Sequence, residues 1–182
     1  MILVSNHLLR LHSMDIKADN VIRINVAWVK DREEMESYLD IPYSVFVDYP
    51  DGRKKPPVPT LSMDQIIDII SRHKNVKFFA ISNAEDYDRI RSIKNKLMVL
   101  NTETILVPKI ETRKGIKNID AIISASASNY VMLDKEDLYV DVRQNKEEYL
   151  ELKRELRERC KEINVHIFEL AGVIFDDGNQ TK

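Results

Sequence analysis

The chain contains almost no cysteine: Cys160 is the only one among 182 residues. A single thiol cannot close a disulfide within the chain, and it cannot supply the paired thiolates of a structural zinc site. Disulfides within the chain and thiolate zinc sites, which stabilise many small extracellular domains, are therefore excluded. We expect a protein of the reducing cytoplasm whose stability depends on a packed core.

Glycine and proline are also scarce, with 4 and 6 residues, and neither sign of charge dominates, since 28 Lys and Arg face 30 Asp and Glu. There is no glycine-rich phosphate loop of the Walker type and no paired-glycine turn after a strand. The balanced charge gives no electrostatic reason to expect nucleic acid or an anionic membrane as a partner. No apolar run approaches the ~18 residues of a membrane span. We expect a small-molecule partner instead.

Short apolar segments that alternate with longer amphipathic ones make up most of the chain, which is typical of strand and helix units in a parallel sheet. Most of the apolar segments lack a polar alternation, so they are expected to be covered on both faces. The seven predicted strands are residues 2–4, 21–28, 44–48, 76–82, 104–110, 129–133 and 165–170.

This pattern predicts an α/β fold, either a doubly wound sheet or a TIM-barrel-like (β/α) barrel, and about seven strands are one short of the usual eight of such a barrel. We expect a single barrel domain over residues 1–175 and a polar tail over residues 176–182. The barrel can close with a strand that the pattern does not reveal, stay open, or borrow an element from a second copy in a homo-oligomer. The sequence leaves these alternatives open.

Several helices and one loop have readable boundaries. Asp31 and Ser62 each precede an acid or amide three residues on, which predicts two capping boxes. Residues 114–124 and 146–163 each carry one apolar stripe at helical spacing. Residues 50–59 hold four prolines and a glycine, and we predict a loop there.

Polar side chains stand at the carboxyl ends of the predicted strands, where parallel α/β folds place their active sites. These residues are Asn25, Asp48, Ser82, Lys109, Glu111, Asp137 and Glu169.

Lys109 and Glu111 are two residues apart on one strand, so they project to the same side of the sheet. Asp137 follows the next strand and can reach the same mouth. Two carboxylates from neighbouring strands are suited to a divalent cation such as Mg²⁺, and a nearby lysine stabilises developing negative charge. The alternative is a surface ion pair between Lys109 and Glu111, with Asp137 capping a turn.

Residues 107–120, which read VPKIETRKGIKNID, resemble the segment of pyruvate kinase in which a strand ends in the catalytic lysine and a metal-binding glutamate. Residues 131–138 resemble the next strand of that family, whose aspartate completes the magnesium site. Further pieces follow the family's order upstream, at residues 21–25, 46–48, 61–65 and 78–86. The resemblance implies the barrel of the phosphoenolpyruvate- and pyruvate-binding TIM-barrel superfamily, without pyruvate kinase's lid and carboxyl-terminal domains.

The resemblance also implies a role for individual residues. Lys109 would be the electrophilic catalytic lysine and Arg23 the contact to substrate phosphate. Mg²⁺, or Mn²⁺ in its place, would be held by Glu111 and Asp137. A K⁺ ion would be held by Asn25 and Asp48.

The chain departs from the pyruvate kinase pattern at several positions. Glu136 replaces a glycine beside which the family binds the substrate carboxylate, and it brings a negative charge to that spot. Ala27, Trp28 and Tyr49 replace residues that belong to the family's potassium site. Trp28 itself is expected to pack in the core. The potassium site is therefore incomplete in this sequence.

The sequence supports three functional alternatives. The first is a pyruvate-kinase-like transferase that acts on phosphoenolpyruvate, pyruvate or a related 2-oxo acid through a metal-stabilised enolate. The second is a 2-oxo acid lyase or aldolase, which needs no nucleotide and hence no lid. The third is a truncated homologue without turnover that serves as a binding or assembly module.

Overall fold

The computed structural model describes residues 2–4, 21–100 and 103–169. One parallel sheet of seven strands runs through the described part of the chain, in the order β1-β2-β3-β4-β5-β6-β7. The strands are β1 (Ile2–Val4), β2 (Val21–Asn25), β3 (Ser44–Tyr49), β4 (Val76–Ile81), β5 (Ile105–Ile110), β6 (Tyr130–Leu133) and β7 (His166–Glu169).

Helices connect the successive strands from β2 onward. They are α1 (Arg32–Leu39), α2 (Met63–Ile70), α3 (Tyr87–Val99), α4 (Arg113–Lys117), α5 (Ile119–Ser126), α6 (Lys135–Asp141) and α7 (Lys146–Glu162).

The main core lies between one face of the sheet and the helices, and α2 shows how a helix is fixed there. Its isoleucines Ile66, Ile67, Ile69 and Ile70 are all at most 2% exposed and belong to one cluster with the strand residues. Burial of an isoleucine side chain contributes about 1.5–3 kcal/mol. The sheet and its helices are thus held together mainly by apolar burial.

The opposite face of the sheet is concave and carries an aromatic cluster. Phe46 on β3 and Phe168 on β7 have ring centroids 6.0 Å apart, and both rings contact Phe78 on β4. In a flat sheet, strands four positions apart would be separated by about 19 Å. The sheet therefore curls, as the wall of a barrel does.

The predicted TIM-barrel-like α/β fold is confirmed as an incomplete barrel of parallel strands. All seven predicted strands are present, and their ends agree with the predicted ones to within three residues. Closure of the barrel by a second copy stays a prediction. The predicted tail over residues 176–182 lies outside the described residues.

The two predicted helix starts differ in their capping. The Ser62 side chain accepts a hydrogen bond from Gln65 N–H while the Gln65 side chain accepts one from Ser62 N–H, so this capping box is complete. The Asp31 side chain caps α1 through Glu34 N–H at 2.9 Å, but the Glu34 carboxylate accepts from Lys30 N–H instead. Only the predicted capping box at Ser62 is therefore reciprocal.

Replacing Ser62 with alanine is expected to lower the free energy of unfolding by about 1 kcal/mol, because the N–H of Gln65 loses its partner. Urea denaturation followed by circular dichroism measures the change. Ser37→Ala is the matched control, since the Ser37 hydroxyl only donates to Glu34 O on the exposed side of α1. An equal loss in both variants would contradict the capping role.

Among the described residues, no helix is long and apolar enough to cross a membrane.

Candidate active site

Lys109 lies at the carboxyl end of β5, in contact with four polar side chains. Its Nζ is 3.0 Å from both Glu111 Oε1 and Ser82 Oγ, 3.5 Å from Asp48 Oδ1 and 3.7 Å from Asp134 Oδ2. Lys109 and Glu111 are each only 4% exposed. Lys109 and Glu111 do form the ion pair of the alternative interpretation, but its predicted surface location is wrong, because the pair is part of a buried polar centre.

Arg23, at the mouth on β2, is paired with Asp48 on the neighbouring strand β3. Its Nε donates to Asp48 Oδ2 at 3.0 Å, and its Nη2 donates to the same oxygen. The Asp48 carboxylate is fully buried, and its second oxygen has no hydrogen bond beyond the ionic contact to Lys109. One carboxylate thus holds two cations at the mouth of the sheet.

The predicted potassium site is not supported. The Asp48 carboxylate faces Arg23 and Lys109, which already neutralise its charge. The Asn25 side-chain oxygen accepts a hydrogen bond from Ala27 N–H at 3.0 Å, which turns the chain into a short 3-10 turn. The side-chain oxygens of both predicted ligands, which would have to bind the ion, therefore already have protein partners.

Three carboxylates form a second group at the mouth. Oxygens of Glu111, Asp134 and Asp137 lie within 4.8 Å of one another. Asp134 directly follows β6 and caps α6 by accepting a hydrogen bond from Asp137 N–H at 3.3 Å. Glu111 Oε2 accepts from Asn83 N–H at 2.8 Å, whereas the buried Oε1 has only the ionic contact to Lys109 Nζ at 3.0 Å. We call these three residues the carboxylate cluster.

The electrostatics of this cluster indicate a shortage of positive charge. Burial raises the pKa of Glu111, although Lys109 and the N–H of Asn83 oppose this. Burial and the neighbouring Asp134 raise the pKa of Asp137. Burial lowers the pKa of Lys109, but the carboxylates of Asp48, Glu111 and Asp134 outweigh it and hold the value above the ordinary one. A centre of this kind is suited to an added cation.

The fit to a divalent metal follows from the donor set. The cluster offers only carboxylate oxygens, which Mg²⁺ prefers, and it includes the buried carboxylate of Glu111, whose Oε1 has only Lys109 as a partner among the described residues. The predicted ligands Glu111 and Asp137 are brought together, and Lys109 lies beside them. Sequence reasoning missed Asp134, whose only signal is that it is the first polar residue after β6.

Glu169 and Trp28 do not belong to this centre. Glu169 at the end of β7 pairs with Arg157 at 2.6 Å and with Lys135 at 3.6 Å. Trp28, expected in the core, is 57% exposed because the 3-10 turn carries it outward, so that expectation is wrong.

Cys160 is not a candidate nucleophile. The thiol is buried on the apolar stripe of α7, and burial raises its pKa to about 11. Since the thiolate is the reactive form, this group is inert near neutral pH.

Comparison with known proteins gives a family and a fold. Residues 60–179 match the model of a family described as HpcH/HpaI aldolase/citrate lyase. Among solved structures, the crystal structure of macrophomate synthase is similar with a TM-score of 0.60 at 14% identity, over 81% of this chain and 62% of that one. The chain thus spans less than two thirds of that protein. No curated protein matches it significantly.

These comparisons refine the resemblance found in the sequence. They support the wider superfamily of phosphoenolpyruvate- and pyruvate-binding TIM barrels, but not pyruvate kinase itself, nor a transferase. The predicted magnesium cofactor is confirmed at the level of the matched family and by the carboxylate cluster, which could hold the ion.

Proposed function

Because the chain belongs to the HpcH/HpaI aldolase/citrate lyase family, we propose that it is a magnesium-dependent lyase that makes or breaks a carbon–carbon bond in a 2-oxo acid. The observation that carries this proposal is the convergence of Glu111, Asp134 and Asp137 beside Lys109 at the open end of the curled sheet. Such chemistry needs no nucleotide, so it is compatible with a barrel in which residues 50–59 replace a lid domain.

The carboxylate cluster would hold the metal. Glu111 and Asp137 are its predicted ligands, and Asp134 adds a third carboxylate. When bound, a divalent cation supplies a Lewis acid that polarises the 2-oxo group and offsets the negative charge of the reacting acid.

Lys109 supplies a fixed positive charge on the same side. Its ammonium group donates to Ser82 Oγ and is held by ion pairs, so its position is set before a substrate arrives. A preorganised cation in a buried site stabilises charge that develops on the substrate oxygen at little reorganisation cost. We assign Lys109 the role of electrostatic stabiliser.

The guanidinium of Arg23 supplies the second fixed positive charge. Asp48 accepts from its Nε and Nη2, and among the described residues the guanidinium has no other partner, so its remaining N–H groups can meet a carboxylate. We assign Arg23 the role of orienting the substrate's own carboxylate.

The test of this function is metal and enolate-analogue binding. Isothermal titration of the protein with Mn²⁺ and oxalate is expected to show one site, and Glu111→Gln should weaken it by roughly 100-fold, because a buried carboxylate ligand becomes a neutral amide. Glu85→Gln is the matched control: Glu85 is a nearby half-buried acid that accepts from Thr112 Oγ1 and lies outside the cluster.

Two results would overturn the proposal. One is the absence of any metal-dependent oxalate binding to the unaltered protein. The other is equal affinity in Glu111→Gln and Glu85→Gln, which would move the ion away from the carboxylate cluster.

A further inference from the structure

Asn83, the second residue after β4, has an unusual backbone conformation at the mouth of the sheet. Its φ is +55°, in the left-handed region that residues other than glycine rarely adopt. Asparagine tolerates this region better than most residues, but the conformation still costs free energy. Asn83 is exposed, so packing of its own side chain in the core does not impose the conformation. Its contacts show what the conformation achieves.

Asn83 and its two neighbours contact the end of β5. The N–H of Asn83 donates to Glu111 Oε2 at 2.8 Å, and the N–H of Ala84 donates to Lys109 O at 3.2 Å. The ammonium of Lys109 donates to Ser82 Oγ at 3.0 Å. Three consecutive residues therefore hold the two charged residues that β5 brings to the candidate site.

The side chain of Asn83 fixes its backbone in this conformation. The Nδ2 of Asn83 donates to Asp51 O at 2.6 Å, in the loop that follows β3. Asp51 is itself held in place, because its N–H donates to Tyr49 O at 2.8 Å and its carboxylate pairs with Arg89 on α3. The carboxamide is therefore anchored at a fixed point, which keeps the N–H of Asn83 directed at Glu111.

This N–H determines how the Glu111 carboxylate is oriented. While Oε2 accepts from Asn83, Oε1 lies 3.0 Å from Lys109 Nζ, and the carboxylate reaches Asp134 and Asp137. A glutamate side chain has several rotatable bonds, so a carboxylate without such a partner samples several rotamers. A hydrogen bond from outside the carboxylate cluster removes this freedom before an ion binds.

We propose that Asn83 is a positioning residue for the candidate metal centre. Its left-handed backbone directs its N–H at Glu111 and thereby presents this carboxylate to a divalent cation in one orientation. The effect on the cation rests on the proposed function, whereas the orientation of Glu111 does not.

The first experiment measures the hydrogen bond in the protein without metal. After ¹⁵N labelling of asparagine, the amide proton of Asn83 is expected to exchange with water roughly tenfold faster in Glu111→Ala than in the unaltered protein, because the acceptor is gone. Glu136→Ala, which removes an exposed acid of α6, should leave the rate unchanged. The amide signals of the other asparagines report whether each variant is folded. An unchanged rate in a folded Glu111→Ala overturns the inference.

The second experiment measures Mn²⁺ affinity by isothermal titration. Asn83→Val should weaken binding roughly tenfold, because a β-branched residue does not tolerate this φ and the peptide group that donates to Glu111 has to rotate. Asn83→Gly keeps the N–H and adopts a positive φ freely, so it should bind within about threefold of the unaltered protein. A glycine variant as weak as the valine variant, or a valine variant with full affinity, overturns the inference.

Asn164→Val is the matched control. Asn164 also has a φ of +55° and is exposed, but it lies between α7 and the amino-terminal end of β7, away from the mouth. The control introduces the same backbone strain, so it should lower the thermal stability as Asn83→Val does and leave the Mn²⁺ affinity unchanged. An equal loss of affinity in both valine variants would assign the effect to general destabilisation and overturn the inference.

A double variant tests whether Asn83 acts through Glu111. In the Glu111→Ala background, Asn83→Val should change the Mn²⁺ affinity by less than about twofold, since the group that it positions is absent. A full tenfold loss in that background overturns the inference. If the unaltered protein binds no Mn²⁺, the lyase proposal fails, and the amide exchange rates still decide whether Asn83 orients Glu111.

Discussion

Replacing Asp48 with alanine is expected to lower the free energy of unfolding by about 3–5 kcal/mol, one of the largest losses that any single polar substitution in this chain should cause. The carboxylate is fully buried, accepts two hydrogen bonds from Arg23 and faces Lys109 at 3.5 Å. Its removal leaves two cations at the mouth without their common counter-charge. Urea denaturation gives the value.

Asp64→Ala is the matched control, because Asp64 forms an ion pair with Lys96 while its side chain is 71% exposed. Exposed pairs of this kind contribute at most about 1 kcal/mol. Similar losses in the two variants would show that Asp48 does not hold the two cations together.

Replacing Lys109 with methionine is expected to slow enolisation by roughly 100- to 1,000-fold, the effect of removing one preorganised charge from an active site. Exchange of the methyl protons of pyruvate in D₂O with Mg²⁺, followed by proton NMR, reports this step without knowledge of the natural acceptor. Methionine keeps the length of the side chain and removes only the ammonium group.

The control for this prediction is Lys114→Met, because the Lys114 side chain is 65% exposed and its ammonium pairs with Glu85 outside the cluster. Exchange in this control should match that of the unaltered protein. Thermal unfolding of both variants separates a loss of chemistry from a loss of fold. Exchange at the original rate in a folded Lys109→Met would show that the charge is not used.

The sheet could be predicted from the sequence because each strand is a short apolar run between polar segments, with one face packed against the helices and the other carrying the aromatic cluster. The helices were less predictable. The apolar stripe of residues 114–124 runs without interruption, yet α4 ends at Lys117 and α5 begins at Ile119. Asn118 separates them because its side-chain amide donates to Glu85 O at 2.9 Å, a tertiary contact that periodicity does not contain.

The candidate site was predictable where it depends on spacing within one strand. Lys109 and Glu111 are two residues apart at the end of β5, so their side chains project to the same side and their proximity follows from strand geometry. Contacts between different strands could not be predicted in this way. Asp48 contacts Arg23 because of the register of β2 and β3, which is set by packing. Asp134 was missed because α6 begins at once after β6, and the helical turn brings Asp134 and Asp137 to the same group.

The order of the strands has a consequence for how the chain folds. Within the described part of the chain, every strand pairs only with strands that are next to it in the sequence. Each new strand therefore pairs with the strand that was formed just before it. The chain between two paired strands is only about one crossover long, so the entropy cost of closing it is low. The sheet can therefore grow one unit at a time from the amino-terminal side, while the protein is still being synthesised.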